Sequence, residues 1–303
     1  MKTVLVTGGL GFIGSNLVDI LVGLDYDVVV IDDLSSGCLE NRNPKAKYYY
    51  DKVSVMLKGD LKKDIEIIFH LAAEARIQPS YKNPLLWFKS NVEATAVVCE
   101  YARKNNCRVV YAGSSSCYGG KYMNPYTFSK KQAEEVCEMY SKVYGISTAT
   151  ARFFNVYGPR NPLIGEFTPI IAKFEQKMIN GEPLTIVGDG EQRRDFTHVY
   201  DICEGLIRIS KQDWNAEIFN LGTGTNYSIN EVADMFGGEK KYLPARPGEA
   251  RETRADITKT TLETGWKPRY SLEAYIKEKK YEIKQSSNRG RDDGPPEISL
   301  GAK

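Results

Sequence analysis

A glycine-rich stretch near the amino terminus constrains this chain more than any other segment. A short apolar run leads into Gly8, Gly11 and Gly14, which follow at intervals of three residues, and a segment of helical spacing comes directly after. The first glycine permits a sharp turn, the second lets a phosphate approach the backbone, and the third lets the helix lie close to the strand. Free N–H groups at the helix start then face the phosphates. This pattern predicts a strand–turn–helix unit that binds a dinucleotide.

Two acids stand where the second strand of such a unit ends. Val28 to Ile31 has the pattern of a buried strand, and Asp32 and Asp33 follow it, with Asp32 lying 18 residues beyond Gly14. An acid at this point accepts hydrogen bonds from the adenosine ribose hydroxyls and repels a 2′-phosphate. We therefore expect NAD rather than NADP. The alternative, a tight turn that binds nothing, leaves the combination of strand, helix and acid unexplained.

Short apolar runs alternate with segments of helical spacing through the first half of the chain. The runs fit strands that are buried on both faces, which is typical of a parallel sheet covered by helices. The predicted strands are Val4–Val6, Val28–Ile31, Ile67–Leu71, Val109–Ala112 and Thr148–Phe153, and the predicted helices lie near 12–24, 90–104 and 126–144. Asn124 can cap the third helix, Pro125 can open it and Gly145 can end it. The expected fold class is α/β, with a Rossmann-like doubly wound parallel sheet.

The sequence changes character beyond Gly158, where Pro, Gly and polar residues separate shorter elements. We expect residues 1–158 to form the NAD-binding domain and residues 159–284 to form mainly a smaller α/β substrate-binding domain. Segments near 185–225 are expected to return partly to the large sheet, and further helices to lie near 168–180, 199–211, 229–236 and 271–282. Residues 285–303 contain no aromatic side chain, so we predict a disordered tail.

Composition argues against several classes of partner. Of the 303 residues, 42% are hydrophobic and the formal net charge is +2, so neither nucleic acid nor an anionic membrane surface is implied. No apolar run approaches membrane-spanning length. The six cysteines form no C-x-x-C pair, and the two histidines, His70 and His198, form no metal-binding pattern. We therefore expect reduced thiols, a cytoplasmic location and no metal.

Tyr126 and Lys130 are four residues apart at the start of a predicted helix, so their side chains share one face. The spacing alone is weak, because the chain contains two further Tyr-x-x-x-Lys pairs. The context favours this pair, since a predicted strand runs into Ser114, Ser115 and Ser116 just before the helix, and strand carboxyl ends face the ligand crevice of a doubly wound sheet. A lysine ammonium ~4 Å from the phenol stabilises the phenolate by up to ~4 kcal/mol, which moves its pKa toward neutrality. The alternative is an exposed tyrosine beside a solvated lysine.

Six segments spread over most of the chain, to about residue 275, carry motifs. They are Gly8-Gly9-Leu10-Gly11-Phe12-Ile13-Gly14, Ser114-Ser115-Ser116-Cys117-Tyr118-Gly119, Pro125-Tyr126-Thr127-Phe128-Ser129-Lys130, Phe153-Phe154-Asn155-Val156-Tyr157-Gly158-Pro159-Arg160, Gly188-Asp189-Gly190-Glu191-Gln192-Arg193-Arg194-Asp195-Phe196-Thr197-His198-Val199 and Arg246-Pro247-Gly248-Glu249. Together they resemble the extended branch of the short-chain dehydrogenase/reductase superfamily, the NAD-dependent epimerase/dehydratase family.

The resemblance implies a set of functional residues and a UDP-sugar as the substrate. The implied catalytic residues are Ser114, Tyr126 and Lys130, with Ser115 as the alternative for the hydroxyl. The implied cofactor contacts are Gly8, Gly11, Phe12, Ile13, Gly14, Asp32, Asp33, Asp60, Leu61, Ala72, Ala73, Tyr126, Lys130 and Phe153. The implied substrate contacts are Ser114, Ser115, Tyr126, Asn155, Arg194, Arg246 and Thr253, and the two arginines suit a diphosphate.

Two departures from the family pattern narrow the activity. Family dehydratases carry Asp-Glu after the catalytic hydroxyl and decarboxylases usually carry a glutamate, whereas this chain has Ser115-Ser116. The resemblance therefore favours 4-epimerases of the UDP-galactose type. Seven residues separate Tyr118 from Tyr126, where the family has a longer acidic loop, so we expect a more open sugar site. The alternatives are another NAD-dependent nucleotide-sugar enzyme (a dehydratase, decarboxylase or reductase) and a non-catalytic NAD-binding protein.

Two further expectations follow from the resemblance. Thr253 stands where glucose-only family members tend to carry a bulky tyrosine, so UDP-GlcNAc and UDP-GalNAc are expected to fit as well. The helices near 90–104 and 126–144 match the pair that forms the dimer interface in this family, which implies a homodimer.

Overall fold

The computed structural model describes residues 2–58, 61, 64–162, 168–248 and 250–292. The strands are β1 (Thr3–Thr7), β2 (Asp27–Ile31), β3 (Lys47–Tyr49), β4 (Ile65–His70), β5 (Arg108–Ser114), β6 (Thr148–Phe153), β7 (Asn155–Tyr157), β8 (Leu184–Val187), β9 (Arg193–His198), β10 (Asn215–Leu221), β11 (Asn226–Ser228) and β12 (Lys240–Leu243). The helices are α1 (Phe12–Gly23), α2 (Val53–Met56), α3 (Ile77–Lys82), α4 (Pro84–Trp87), α5 (Ala94–Asn105), α6 (Pro125–Tyr144), α7 (Ile170–Ile179), α8 (Val199–Ile209), α9 (Ile229–Phe236), α10 (Thr258–Thr264) and α11 (Leu272–Asp292).

Seven strands form one parallel sheet in the order β10-β6-β5-β4-β1-β2-β3. This arrangement confirms the predicted doubly wound α/β class and the five predicted strands. Alternation along each strand explains why helices cover both faces. Val4 and Val6 pack into an apolar cluster with α1 and α8, whereas Leu5 packs into a second cluster with α5 and α6. Because the side chains of a strand point alternately to opposite faces, a strand buried on both sides must be apolar throughout.

A smaller region is built from short strands and helices of the second half. β11, β9 and β7 form a three-stranded sheet, and β12 pairs with β8. A third apolar cluster, which includes Phe174, Phe236 and Ile276, joins these strands to α7, α9 and α11. The last strand of the large sheet, β10, also comes from this half of the chain and pairs with β6.

The helix α6 has the capping residues that the sequence predicts. The side-chain oxygen of Asn124 accepts a hydrogen bond from the Thr127 N–H, Pro125 occupies the first turn, and Gly145 ends the helix in the left-handed conformation. The helix predicted near 90–104 is only partly regular. A π-helical turn over 88–93 joins α4 to α5, and the regular α-helix begins at Ala94. No helix in the described ranges is long and apolar enough to cross a membrane.

The predicted disordered tail is wrong in its first part. The final helix, α11, continues to Asp292, so residues 285–292 are helical, while residues 293–303 lie outside the described ranges. Leu272 and Ile276 at the start of α11 are buried in the third apolar cluster. A helix anchored in this way propagates at low cost into a polar sequence, because nucleation is the expensive step.

The contact between α1 and the preceding turn yields a test of the fold. A Cβ at Gly14 would lie 2.0 Å from the Gly8 carbonyl oxygen, so Gly14→Ala forces the backbone apart. We expect the free energy of unfolding to fall by about 3 kcal/mol, the upper end of ordinary overpacking costs, as measured by chemical denaturation. Gly23→Ala in the last turn of the same helix is the matched control, since nothing lies within 4 Å of its Cβ position. Equal stability of the two variants would contradict the close packing at Gly14.

Candidate active site

The glycine turn is held between β1, β2 and the end of β4. Gly8 has a φ of +72° and its N–H donates to the Ile31 carbonyl at 2.8 Å. A Cβ on Gly8 would lie 2.8 Å from the Ala72 nitrogen, so the turn packs directly on the backbone that leaves β4. The Ala72 N–H in turn donates to the Thr7 hydroxyl at 3.2 Å. The turn and Ala72, one of the predicted Ala72-Ala73 pair, therefore pack together at the carboxyl edge of the sheet.

The start of α1 has the character of an anion-binding site. Gly11 precedes the helix, no side chain caps it, and its first turn contains no acid. Within the described residues, the backbone N–H groups of Phe12, Ile13 and Gly14 make no hydrogen bond. Unpaired N–H groups and the helix dipole together favour a phosphate at this place.

Asp32 lies beside this turn at the end of β2. One carboxylate oxygen accepts from the Leu10 N–H and the other from the Leu34 N–H, both at 2.9 Å. Burial raises the pKa of Asp32, and the two backbone hydrogen bonds oppose that rise. A carboxylate has about four acceptor positions, so this group retains capacity for ribose hydroxyls. Asp33 is exposed and accepts from the Ser35 N–H at 3.0 Å.

The structure shows no direct link between the glycine turn and the remaining predicted cofactor contacts within the described residues. Asp60 lies outside the described residues. Leu61 is buried, and its carbonyl accepts from the Tyr101 hydroxyl at 3.1 Å, on the α5 side of the sheet. Phe153 ends β6 directly opposite Ser114 in β5, so it stands at the catalytic end of the sheet. These contacts remain predictions.

Ser114 and Tyr126 meet where β5 ends. The Tyr126 hydroxyl donates to the Ser114 Oγ at 3.1 Å, and Ser114 donates to the Ser116 Oγ at 2.9 Å. Ser115 is buried in the tight helical turn over 115–119. The hydroxyls predicted from sequence are thus brought together, and Ser114 is the one that contacts Tyr126.

Lys130 is buried one turn along α6, but its ammonium takes a different partner from the one we expected. Its Nζ donates to the Ala112 carbonyl and lies 4.4 Å from the Tyr111 ring centroid. No hydrogen bond joins it to Tyr126 among the described residues. Burial lowers the pKa of Lys130 to about 8. At neutral pH the ammonium therefore keeps most of its charge.

Several residues that position Tyr126 were missed from sequence. The Tyr126 N–H donates to the Ser80 Oγ at 3.2 Å, which ties α3 to the first turn of α6. The buried Asn91 of the π-helical turn donates to the Ser129 Oγ at 2.9 Å and to the Glu74 carbonyl at 3.1 Å. These bonds link residues far apart in the chain, so no local sequence pattern predicts them.

Arg76 is a second residue that the sequence reasoning overlooked. It immediately precedes α3 and its charge acts on Tyr126. Burial raises the pKa of Tyr126, while the Ser114 hydrogen bond and the Arg76 charge act in the opposite direction. The available signal was its place just after Ala72-Ala73, at the carboxyl end of a central strand, where ligand-binding residues collect.

A buried ion pair joins β6 to α6. Arg152 of β6 donates through Nε at 2.9 Å and through Nη2 at 2.6 Å to the two carboxylate oxygens of Glu134 on α6. The guanidinium also lies 4.8 Å from the centroid of the Tyr118 ring, and the Tyr118 hydroxyl donates to Asn220 at 2.7 Å. The pair therefore fixes α6, β6 and the turn after Ser114 relative to one another.

The predicted substrate residues lie in two groups. In the first, Thr253 donates through its N–H to the Arg193 carbonyl at 3.1 Å, and Arg194 donates through Nη1 to the same carbonyl at 2.9 Å. The Thr253 hydroxyl is buried and has no hydrogen-bond partner in the described part of the chain. Asn155 lies opposite Phe196 in the neighbouring pair β7 and β9.

The second group is the turn that carries Arg246, and it lies against the start of α6. Arg246 is exposed, and the two carbonyls that follow it are held from the other side of the cleft. Gln78 donates to the Pro247 carbonyl at 3.1 Å, and the Asn124 amide donates to the Gly248 carbonyl at 3.2 Å. This turn is thus tied to α3 and to the short loop before Tyr126. The more open sugar site stays a prediction.

Removing the carboxylate of the buried ion pair tests its structural role. Glu134→Ala leaves the Arg152 guanidinium buried without its partner, so we expect the free energy of unfolding to fall by roughly 3–5 kcal/mol. Glu138→Ala, one turn further along α6, is the matched control because it removes an ion pair to Lys142 in which both side chains are exposed. That change should cost less than about 1 kcal/mol. Chemical denaturation of both variants decides, and a similar loss in each would refute this assignment.

Solved structures similar to this one include two 4-epimerases. The UDP-glucose 4-epimerase of Thermotoga maritima, solved with UDP-glucose, superposes with a TM-score of 0.89 at 31% sequence identity, covering 94% of this chain and 100% of that chain. The UDP-glucuronic acid 4-epimerase of Bacillus cereus, in complex with UDP-glucuronic acid and NAD, superposes with a TM-score of 0.83 at 28% identity, covering 94% and 100%.

Curated relatives agree with this likeness. The putative UDP-glucose 4-epimerase of Methanocaldococcus jannaschii is 36% identical over 90% of this chain and 96% of its own length. UDP-glucuronic acid decarboxylase 1 of Arabidopsis thaliana is 29% identical over 89% of this chain and 67% of its own length. The model of the NAD dependent epimerase/dehydratase family matches residues 4–222. The chain is therefore a member of the NAD-dependent epimerase/dehydratase family, whose enzymes act on nucleotide sugars.

Proposed function

We propose that this protein interconverts the C4 epimers of a UDP-hexose with NAD as its cofactor. The observation that carries the proposal is the Tyr126–Ser114 hydrogen bond of 3.1 Å at the same sheet edge as the glycine turn. This arrangement sets a phenol and a hydroxyl beside the place for a dinucleotide, as oxidation of a sugar hydroxyl requires.

The residues present fit NAD. The unpaired N–H groups at the start of α1 suit its diphosphate, and the buried Asp32 suits the adenosine ribose. The crowded backbone at Gly8 and Ala72 leaves a flat floor without side chains. NAD, when bound, supplies an acceptor for the C4 hydrogen and then returns it. Lys130, one turn along α6 from the phenol, is proposed to supply a positive charge to the site at neutral pH.

The side chains of the protein handle the proton and the geometry. Tyr126 takes the proton of the 4-hydroxyl, and Ser114 donates a hydrogen bond to the same oxygen as the ketone forms. The 4-keto sugar then turns about its diphosphate and presents its other face, and Tyr126 returns the proton. This sequence needs firm binding of the nucleotide and loose binding of the sugar. Arg194, Arg246 and Asn155 are proposed to hold the nucleotide portion.

Other activities in the family remain as the second candidate. A dehydratase, a decarboxylase or a reductase would use the same fold and cofactor. The similarity to UDP-glucuronic acid decarboxylase 1 of Arabidopsis thaliana supports this alternative. Ser115-Ser116 stands where dehydratases have Asp-Glu, which favours epimerisation. A non-catalytic NAD-binding protein is disfavoured because Ser114, Tyr126 and Lys130 are all present.

We also propose that the protein forms a homodimer through α5 and α6. Apolar side chains on the outer side of α6 support this assembly, since Val143 is 65% exposed and Tyr144 is 53% exposed. Phe128 packs with Phe88 and Tyr122 at the other end of the same helix. Large apolar side chains exposed along one helix are typical of an interface.

The first experiment is an incubation of the purified protein with UDP-glucose or UDP-GlcNAc and no added cofactor. Chromatographic separation of the 4-epimers measures conversion. Conversion of either sugar supports a redox-neutral epimerase that retains NAD. Conversion of neither sugar, with NAD added as well, would count against 4-epimerisation of these two sugars.

The hydroxyl of Tyr126 is the group whose removal should abolish turnover. We expect Tyr126→Phe to lower kcat by roughly 10²- to 10⁴-fold, the range for loss of a general acid–base. NAD content after purification and the melting temperature should stay unchanged. Tyr281→Phe is the matched control, because it removes an exposed tyrosine hydroxyl in α11. Full activity of Tyr126→Phe would sink the mechanism.

Thr253 is proposed to set the breadth of the sugar site. Thr253→Tyr fills space beside Arg194, so we expect kcat/KM for UDP-GlcNAc to fall roughly 10-fold or more relative to that for UDP-glucose. Thr253→Ser keeps the hydroxyl and a small volume, and it should leave the ratio unchanged. The epimerisation assay with both sugars measures the ratio. An unchanged ratio in Thr253→Tyr would remove Thr253 from the sugar site.

A further inference from the structure

Two sets of contacts hold the chain on either side of Arg76. It lies between the end of β4 and the start of α3, and Ser80 of α3 accepts the Tyr126 N–H at 3.2 Å. Asn91 holds the chain on the other side of Arg76, through the Glu74 N–H at 2.8 Å and the Glu74 carbonyl at 3.1 Å. The backbone of this segment therefore cannot move independently of the first turn of α6.

Among the described residues, no carboxylate or carbonyl forms an ion pair or hydrogen bond with the guanidinium of Arg76. By contrast, the buried guanidinium of Arg152 is paired with Glu134. Arg76 lies deep in the cleft, with part of its side chain still accessible to solvent. Burial lowers its pKa, yet an arginine keeps its charge at neutral pH. A charge held this way costs free energy that a bound anion can offset.

The position of Arg76 indicates which anionic group of a bound nucleotide sugar could reach it. The NAD diphosphate is assigned to the start of α1, and the UDP diphosphate to Arg194 and Arg246. Arg76 instead directly precedes α3, whose Ser80 accepts the Tyr126 N–H, so its charge lies close enough to act on Tyr126, the group assigned to the C4 hydroxyl. On a hexose ring, C5 is bonded directly to C4, and its substituent reaches the same region. An anion at that carbon is a carboxylate.

We propose that Arg76 binds a carboxylate on C5 of the sugar, so that a UDP-hexuronate is the preferred substrate of this protein. The proposal rests on the 4-epimerase function given above and adds its substrate class. A planar guanidinium donates two parallel hydrogen bonds to the two oxygens of a carboxylate. The neutral hydroxymethyl group on C5 of UDP-glucose offers only one oxygen and no charge. Arg76 is then a specificity-determining residue, and the proton transfers remain with Tyr126.

Binding and turnover are measured with UDP-glucuronate and UDP-glucose for the wild type, Arg76→Gln and Arg76→Lys. The dissociation constants come from calorimetry of the NAD-containing protein, and kcat/KM from separation of the 4-epimers. We expect the wild type to favour UDP-glucuronate in both. Arg76→Gln should weaken UDP-glucuronate binding by roughly 10- to 100-fold and change UDP-glucose binding less than about 3-fold. Arg76→Lys should restore part of the loss, because it keeps the charge without the fork.

The outcomes separate this proposal from its rivals. An equal loss of affinity for both sugars in Arg76→Gln would mean that Arg76 acts on the diphosphate or on Tyr126 alone, and would overturn the proposal. A wild type that favours UDP-glucose would overturn it as well. A clear fall in the melting temperature of Arg76→Gln would mark a structural role and overturn it too, since removing an unpaired charge should not destabilise the fold. Selective binding of UDP-glucuronate, with carbon dioxide released or no 4-epimer formed, would keep the Arg76 assignment and reject the epimerase function.

Discussion

The close backbone contact at the carboxyl edge of β1 is the constraint on which the rest of the site depends. Gly14 lies on the carbonyl of Gly8, and Gly8 lies on the backbone of Ala72, with no side chain between them. This contact fixes the start of α1 against the end of β4. Because β4 and β5 are neighbours in the sheet, it also fixes the glycine turn relative to Ser114. Helix α1, the glycine turn and β5 therefore pack as one unit.

Local signals predicted the large sheet well, because strands buried on both faces must be apolar throughout. β3 escaped notice, since Lys47–Tyr49 is three residues long and lies at the sheet edge. β10 carries Asn215, Glu217 and Asn220 among its apolar residues, and only its return to the sheet was anticipated. The tail was predicted from the polar composition of residues 285–303 alone. Composition could not show that the preceding turns of α11, which contain the buried Leu272 and Ile276, are packed and extend the helix to Asp292.

Within the site, sequence reasoning found the groups defined by spacing and missed those defined by tertiary contact. Tyr126 and Ser114 come from one strand–loop–helix unit, so their meeting follows from local geometry. The partner of Lys130 does not, since its ammonium reaches back to the Ala112 carbonyl. Asn91 and Glu134 act across elements, and a single sequence gives no means of pairing them with Glu74 or Arg152.

The Asn124 side chain divides its two polar atoms between separate tasks. Its oxygen caps α6 through the Thr127 N–H, and its nitrogen holds the Gly248 carbonyl. A hydrogen bond of this kind contributes about 1 kcal/mol net. Because the two bonds use different atoms of one amide, loss of the Gly248 contact would leave the cap of α6 closed. The cap of the helix that bears Tyr126 therefore does not depend on the turn that carries Arg246.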